Sequence, residues 1–277
     1  MSIKDMVVHV DGAEATRARA AFAIALAKAH DAHLVGIAFA PTALLPLYGP
    51  DVGFADMAEV MASVKTQSEA ALKAFQERAE LEGIKAEGRL VQCVSDEFPE
   101  DFAMCARNFD IVILGQPRDG DPLIGQYALV ERCLFASGRP VIIVPAVPAN
   151  SGLKTIVAAW DGSAEAARAF NDALIFMKPA MRVVLLVASS IAQASDTEIP
   201  TTDIVAHLRR HGVTAEVMQV NARDAEIGRI LLTTCRELQA DMIVMGAFHH
   251  SRLRQYILGG VTLTMLEQAT TPLFLAH

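Results

Sequence analysis

The sequence predicts an α/β protein of two tandem domains, each a doubly wound five-stranded parallel sheet with helices on both faces. The chain has 277 residues, of which 52% are hydrophobic and 20% charged, so it can bury the cores of two domains of ordinary size. Each half alternates apolar runs of strand length with helical patterns, which is typical of β-α-β units in a parallel sheet. An internal repeat also runs through both halves.

The repeat begins with the first strand of each half. Residues 5–12 read Asp-Met-Val-Val-His-Val-Asp-Gly and residues 155–162 read Thr-Ile-Val-Ala-Ala-Trp-Asp-Gly, so both apolar runs end in Asp-Gly. A later pair reads Asp-Ile-Val-Ile-Leu-Gly at 110–115 and Asp-Met-Ile-Val-Met-Gly at 241–246. We therefore expect the two halves to share one fold.

The end of the first repeat locates the domain boundary. An apolar strand after Pro140 closes the first half, and another after Pro272 closes the second. Between the halves, residues 145–152 carry two prolines, an asparagine and a glycine without periodicity, which is typical of a linker. We place the domains at residues 1–149 and 150–277.

The second half gives the clearest series of elements. Its predicted strands span 153–160, 182–188, 213–220 and 241–245, followed by a short strand at the end of the chain. Its predicted helices begin near Ser163, Thr202, Asp224 and Gly260. Gly212 suits the left-handed position that ends the second of these helices.

The first half follows the same order, with one additional feature. Residues 41–54 form an apolar, proline-broken segment that has no counterpart of equal length in the second half. We expect this segment to pack over its own domain, because exposed apolar patches of this size are rare in monomers. The alternative is a lid or a surface that binds a partner.

Charge and hydropathy exclude several classes of partner. The formal net charge of -8 argues against general binding to nucleic acids or to acidic lipid surfaces. The first residues lack a basic region followed by an apolar core, so we expect no export signal and a cytoplasmic location. The apolar runs are short or are interrupted by Pro41 and Pro46, so we expect no transmembrane segment.

Cysteine and histidine spacing predicts no metal site. The four cysteines contain no Cys-x-x-Cys pair, and we interpret them as buried, reduced structural thiols. His249 and His250 are adjacent but lack a carboxylate or thiol at ligand spacing. The cysteines are Cys93, Cys105, Cys133 and Cys235.

The loop between the fourth strand and the last helix of the second half is the candidate ligand site. In open parallel sheets, ligands bind outside the carboxyl ends of the strands, where the strand order reverses. The loop runs from Gly246 to Thr262 and enters a helix whose N-terminus can donate backbone N–H groups to a phosphate. Its glycines would let the backbone approach that phosphate closely. Arg252 and Arg254 could add positive charge or could form a solvated loop face.

This loop resembles that of the universal stress protein family. ATP-binding members of the family carry Gly-x-x-Gly, nine residues, and then Gly-Ser or Gly-Thr. Gly246 matches the first glycine and Gly259 the third, with nine residues after position 249. His249 stands where the second glycine would be, and Gly260 replaces the hydroxyl residue. Thr262 lies two residues further on and could substitute for that hydroxyl.

The resemblance covers nearly the whole chain and implies a cytoplasmic stress-response binding protein with a Rossmann-like, adenine nucleotide alpha hydrolase-like fold. It implies that ATP or another adenine nucleotide, which magnesium could accompany, binds the C-terminal domain. In relatives the domains pair through their last strands. We therefore expect an internal pseudo-dimer that joins residues 141–144 to residues 273–276, and a homodimer of the chain is possible.

Asp161 has two candidate roles. In ATP-binding relatives the matching carboxylate lies at the nucleotide site. The sequence Asp-Gly-Ser also favours an Asx-turn acceptor or a cap before Ser163. One carboxylate can serve both roles.

The equivalent loop of the first half, residues 115–127, does not fit the glycine pattern without a gap. Asp119 and Asp121 add negative charge, and Pro117 and Pro122 remove amide donors. We expect this half not to hold a triphosphate.

The sequence also lacks the phosphoryl-transfer loop Gly-x-x-x-x-Gly-Lys-Ser/Thr, the Gly-x-Ser-x-Gly nucleophile turn and the Gly-x-Gly-x-x-Gly fingerprint, so we do not expect an enzyme. The rival hypothesis is a module that binds no nucleotide and acts as a structural or small-molecule-binding unit through protein partners. The departures at His249 and Gly260 favour that rival.

Overall fold

The computed structural model of the protein describes residues 2–12, 15–43, 54–94, 97–117, 125–146, 152–190, 201–222, 224–247 and 260–277. The chain divides into two units, Ser2–Pro148 and Ala149–His277. In the described ranges, no helix is both long and apolar enough to cross a bilayer.

The first unit is a parallel sheet with strand order β3-β2-β1-β4-β5. In chain order its elements are β1 Asp5–His9, α1 Ala15–His30, β2 His33–Ala43, α2 Phe54–Leu81, β3 Ala86–Val94, α3 Phe98–Ala106, β4 Ile111–Gly115, α4 Gln126–Ala136 and β5 Val141–Val144.

The second unit is a parallel sheet with the same topology, in the order β8-β7-β6-β9-β10. Its elements are β6 Thr155–Trp160, α5 Ala164–Met177, β7 Arg182–Ser190, α6 Thr201–Arg210, β8 Ala215–Ala222, α7 Asp224–Glu237, β9 Met242–Gly246, α8 Gly260–Gln268 and β10 Leu273–Ala276.

These two sheets confirm the predicted fold class. In each unit the chain moves outward over three strands and then returns to the other side of the first strand, so the order reverses between β1 and β4 and between β6 and β9. The central strands are buried on both faces, as parallel sheets covered by helices require; Val7, Val8, Val157 and Ala158 are fully buried. The reversal point of the second unit is therefore the carboxyl edge that β6 and β9 share.

Local signals fix the helix ends of the second unit. The Ala166 amide donates a hydrogen bond to Ser163 Oγ at 3.0 Å, so Ser163 caps α5. Gly212 has a φ of 82°, and the Val213 amide donates to the Leu208 carbonyl at 2.9 Å. This is the left-handed glycine ending that the sequence predicts for α6.

Three of the four cysteines are buried. Burial raises the pKa of the Cys235 thiol to about 12, and it raises the pKa of Cys133 as well. These two thiols therefore stay protonated and behave as small apolar side chains. Cys105 is partly exposed, which differs from the expectation that all four are buried.

The apolar segment 41–54 is described only at its two ends. β2 continues to Ala43 and α2 begins at Phe54, while residues 44–53 lie outside the described residues. Packing over the domain and a lid or partner surface both stay predictions.

A carboxylate aligns the central strands of the second unit. Asp241 Oδ2 accepts hydrogen bonds from the Lys154 amide at 2.7 Å and from the Thr155 amide at 2.8 Å. The Asp241 amide donates to the Thr155 carbonyl at 2.8 Å. Asp241 thereby fixes the amino end of β9 to the amino end of β6.

The first unit repeats this contact. Asp110 Oδ2 accepts from the Lys4 amide at 2.7 Å and from the Asp5 amide at 3.1 Å, and the Asp110 amide donates to the Asp5 carbonyl at 2.8 Å. The aspartate shared by the two repeats therefore has a structural role, because it aligns neighbouring strands.

We expect Asp241→Ala to lower the free energy of unfolding of the second unit by about 1–3 kcal/mol, because two backbone amides lose a charged acceptor. Trp160, the only tryptophan of the chain, lies in this unit, so its fluorescence during urea titration measures the change. Asp203→Asn, at an exposed position of α6, is the control and should change the stability by less than about 1 kcal/mol. Equal effects of the two substitutions would contradict the proposed alignment by Asp241.

Candidate functional site

The carboxyl edge of the second sheet brings together the ends of β6 and β9. Ala158 pairs with Val244, so two residues further on Trp160 is level with Gly246. Asp161 follows directly. Two predicted site residues, Asp161 and Gly246, thus lie at the ends of adjacent strands.

Asp161 forms the turn that one of its two candidate roles predicts. Its Oδ1 accepts a hydrogen bond from the Ser163 amide at 2.9 Å, which is an Asx-turn. The residue is exposed, so the turn leaves the carboxylate accessible to a ligand. The role in the turn and the predicted place at a nucleotide site are therefore compatible.

Gly246 has a packing role. A Cβ at this position would lie 2.5 Å from the Ala166 amide nitrogen and 2.7 Å from the Glu165 carbonyl carbon. The end of β9 therefore contacts the first turn of α5 so closely that no side chain fits between them. The sequence predicts a close approach at this glycine, and the structure shows that the approaching group is the protein's own backbone.

Gly260 is different, because no described residue packs against it. It is the first residue of α8 and is exposed, and no described heavy atom lies within 4 Å of where its Cβ would stand. Thr262 lies in the same turn but is only 5% exposed. A hydroxyl at position 260 would therefore be accessible, whereas the hydroxyl residue at 262 is buried.

The start of α8 has the character of an anion site. The first amides of a helix have no acceptor within the helix, and the helix dipole places positive potential there. The Thr264 hydroxyl donates to the Gly260 carbonyl at 2.8 Å. A Cβ on Gly228 of α7 would come within 3.0 Å of Thr264 Cβ, so α7 packs tightly against this turn and holds it in place.

The rest of the predicted loop cannot be placed. His249 and Gly259, together with Arg252 and Arg254, lie outside the described residues. Their proximity to Asp161 and Gly260 stays a prediction.

Sequence reasoning missed two groups at this edge. His277 Nδ1 lies 2.9 Å from the Ala247 carbonyl oxygen, and Arg168 Nη1 donates to the His277 carbonyl. These contacts fix Ala247, the residue after Gly246, to the end of β10. They join positions far apart in the chain, so no local pattern could indicate them.

The matching edge of the first unit is filled by an arginine. Arg19 Nη2 lies 2.9 Å from Asp11 Oδ2 and 2.7 Å from Thr16 Oγ1, and Arg19 is only 4% exposed. A Cβ on Gly115 would collide with Arg19 Nη1. The residue eight positions after Asp11 is Arg19, whereas the residue eight positions after Asp161 is Ala169. This guanidinium was not predicted as an obstacle, because its position depends on the packing of α1.

A buried histidine lies beside this ion pair. His9 is 3% exposed, with Nδ1 3.8 Å from Asp11 Oδ2 and its ring 5.4 Å from that of Phe98. Burial, followed by the positive charge of Arg19, lowers the pKa of His9 to about 3. Burial alone would raise the pKa of Asp11, but Arg19, His9 and the hydrogen bonds from Thr16 and Arg19 lower it well below its usual range.

Two buried atoms of this cluster lack partners. Among the described residues, His9 Nε2 and Arg19 Nε are buried without a hydrogen bond. Such atoms weaken a fold unless the surrounding contacts compensate. The first unit therefore holds a neutral imidazole and an internal ion pair where the second unit has an alanine, Ala159, and an exposed aspartate, Asp161.

Comparison with known proteins agrees with this description. The model of the universal stress protein family matches residues 152–277. The solved structure of a universal stress protein from Archaeoglobus fulgidus is 18% identical and superposes with a TM-score of 0.72, covering 98% of this chain and 97% of its own. A protein of unknown function from Pseudomonas aeruginosa is 14% identical, with a TM-score of 0.59, and covers 99% and 92%. No curated protein matches the chain.

The two glycines of the second unit should respond differently to substitution. We expect Gly246→Ala to destabilise this unit by about 1–3 kcal/mol, because the new methyl group collides with the backbone of α5. Gly260→Ala should leave the stability unchanged or raise it by up to about 1 kcal/mol, because alanine favours a helix. Urea unfolding followed by Trp160 fluorescence compares them. Unchanged stability in Gly246→Ala would contradict the close contact between β9 and α5.

His9 should make the stability of the first unit depend on pH. Its folded pKa is depressed, so the unfolded state binds the proton more readily, and stability falls as the pH drops below the ordinary histidine value towards 3. Between about pH 7 and about pH 5 the loss is about 2 kcal/mol.

His9→Phe removes this titration and should flatten the dependence in that range. The measurement is urea unfolding in that pH range, with hydrogen exchange of the first-unit amides as the method of detection. An unchanged slope in His9→Phe would contradict the assignment.

Proposed function

We propose that the chain is a stress-response protein whose second unit binds ATP or another adenine nucleotide. The universal stress protein family model matches residues 152–277, and the first unit has a sheet of the same topology as the second. We propose binding without turnover. The ground for this is the sequence, which lacks the phosphoryl-transfer loop and the nucleophile turn.

The observation that supports the proposal is the start of α8. Gly260 is the first residue of this helix, at the edge where the strand order reverses, and no described heavy atom outside its own turn lies within 4 Å of where its Cβ would stand. Nucleotide phosphates bind such helix starts through backbone N–H groups. We propose that the phosphates lie over the first turn of α8, next to Gly259 and His249 of the loop. Asp161 would then lie at the nucleotide, either directly or through magnesium.

The contrast between the units supports a single site. In the first unit, Arg19 fills the space above Gly115 and is neutralised by Asp11. A nucleotide would have to displace a partly buried ion pair, which leaves the buried guanidinium without its partner. We therefore propose one nucleotide for each chain, bound by the second unit.

Binding would act through protein contacts. We propose that the nucleotide changes how the chain, in the cytoplasm, contacts a partner or a second copy. Such a change requires that the nucleotide bind two states of the protein with unequal affinity.

The first experiment is to purify the full chain without added nucleotide, denature it and identify released small molecules by mass spectrometry. Stripped protein is then titrated with ATP and magnesium by calorimetry, with Trp160, partly exposed beside the site, as a fluorescence reporter. We expect about one nucleotide per chain. Incubation with ATP followed by product analysis should show no hydrolysis beyond the buffer.

Substitutions at position 260 locate the site. Gly260→Asp should reduce affinity by about tenfold or more, because it adds a negative charge beside the phosphates, while the fold is retained. Gly260→Ser restores the family hydroxyl and should increase affinity. Gly125→Asp, at the start of α4 in the first unit, is the matched control and should leave binding unchanged.

A negative result would support the rival hypothesis of a module that does not bind nucleotide. That result is the absence of released nucleotide, of a titration signal and of any gain in nucleotide affinity in Gly260→Ser. In that case His249→Gly should create affinity. If the proposed site is correct, His249→Gly should instead leave affinity unchanged or reduce it.

A further inference from the structure

Helix α6 carries two histidines one turn apart near its C-terminal end. His207 and His211 are at i and i+4, a spacing that places side chains on one side of a helix. The His211 amide donates to the His207 carbonyl at 3.2 Å, so helical geometry continues one residue beyond Arg210. The two imidazole centroids are 4.6 Å apart and their planes are inclined by 54°.

The turn that carries the pair is fixed on its other side. Ile204 and Leu208 are buried against the sheet. The glycine ending of α6 adds two hydrogen bonds, from the Gly212 amide to Arg209 at 3.0 Å and from the Val213 amide to Leu208 at 2.9 Å. The histidines therefore stand on an anchored turn, which lowers the entropy that is lost when both bind one ligand.

The distance between the rings matches joint coordination of one ion. A metal–nitrogen bond of about 2.1 Å puts the metal about 3.2 Å from the centre of each ring. If the two metal–nitrogen bonds form a right angle at the metal, the ring centres lie about 4.5 Å apart. This is close to the 4.6 Å between the rings of His207 and His211. We propose that His207 and His211 bind one divalent transition-metal ion that accepts nitrogen ligands at a right angle, Ni²⁺ or Cu²⁺, with water at the remaining positions.

The surrounding charges set the strength of this site. The C-terminal end of a helix carries partial negative charge, which favours a cation, and Asp203 lies one turn before His207. Arg209 projects from the opposite side of α6, while the exposed Arg210 is nearer. The described residues hold no cluster of three His, Cys, Asp or Glu groups, so two imidazoles bind an exchangeable ion rather than a structural one.

The proposal predicts a specific order of metals. Imidazole pairs bind Cu²⁺ more tightly than Ni²⁺ and Zn²⁺, and they do not bind Mg²⁺. The full chain without a histidine tag should take up one Cu²⁺ or Ni²⁺ in calorimetry, and Cu²⁺ should broaden the ring proton signals of His207 and His211 in NMR spectra. A chelator should reverse both effects.

Matched variants test the spacing. His207→Gln and His211→Gln should each weaken binding by about tenfold or more, whereas His33→Gln, in the first unit, should not. Combining His211→Gln with Arg209→His keeps the number of histidines but places them at i and i+2, on different sides of the helix, and should not restore binding. Unfolding followed by Trp160 fluorescence verifies that each variant is folded.

Three results would overturn the proposal. They are unchanged affinity in both single variants, full affinity in the variant with the wrong spacing, and Cu²⁺ broadening in the parent chain that spares both rings. The last measurement needs no variant, so it decides even if a substitution disturbs α6. The site is independent of the nucleotide, and Gly260→Asp should leave metal binding unchanged.

Discussion

The structure depends on the alignment of its central strands by two aspartates. Asp110 and Asp241 each accept hydrogen bonds from two backbone amides of the neighbouring strand at its start. A strand of five residues is about 16 Å long and stiff, so fixing the register at one end fixes it at the other. The placement of Asp161 beside Gly246, and of Asp11 beside Gly115, follows from contacts at the opposite edge of each sheet.

The two units share a topology, but the carboxyl edges of their sheets differ in their charged groups. In the first, Arg19 extends from α1 across Gly115 and binds Asp11, so the aspartate after the strand is neutralised within the protein. In the second, Ala169 cannot reach across, Asp161 is exposed, and no described side chain lies against Gly260 at the start of α8. The different chemistry of the edges arises from a few side chains, whereas the topology of the two sheets is the same.

The fold was largely predictable because its signals are local or repeated. The succession of strands and helices along the second unit, the start of α5 near Ser163 and the ending at Gly212 follow from periodicity and from backbone preferences of single residues. The site was less predictable. Thr262 is in the predicted helix turn, but its burial depends on how α7 packs against α8.

The arginine of the first unit and the pair Arg168–His277 escaped prediction for a similar reason. Each joins residues whose proximity exists only after folding. His249 and Gly259, on which the choice of ligand depends most, are outside the described residues.

The contact of Gly246 with the backbone of α5 changes how a glycine motif can be interpreted. Gly115 in the first unit is under a similar constraint, because a Cβ there would collide with Arg19 Nη1. The first glycine of the pattern therefore reflects the packing of the sheet in both units. Information about what the domain binds has to come from positions such as Gly260, where no described side chain restricts the residue.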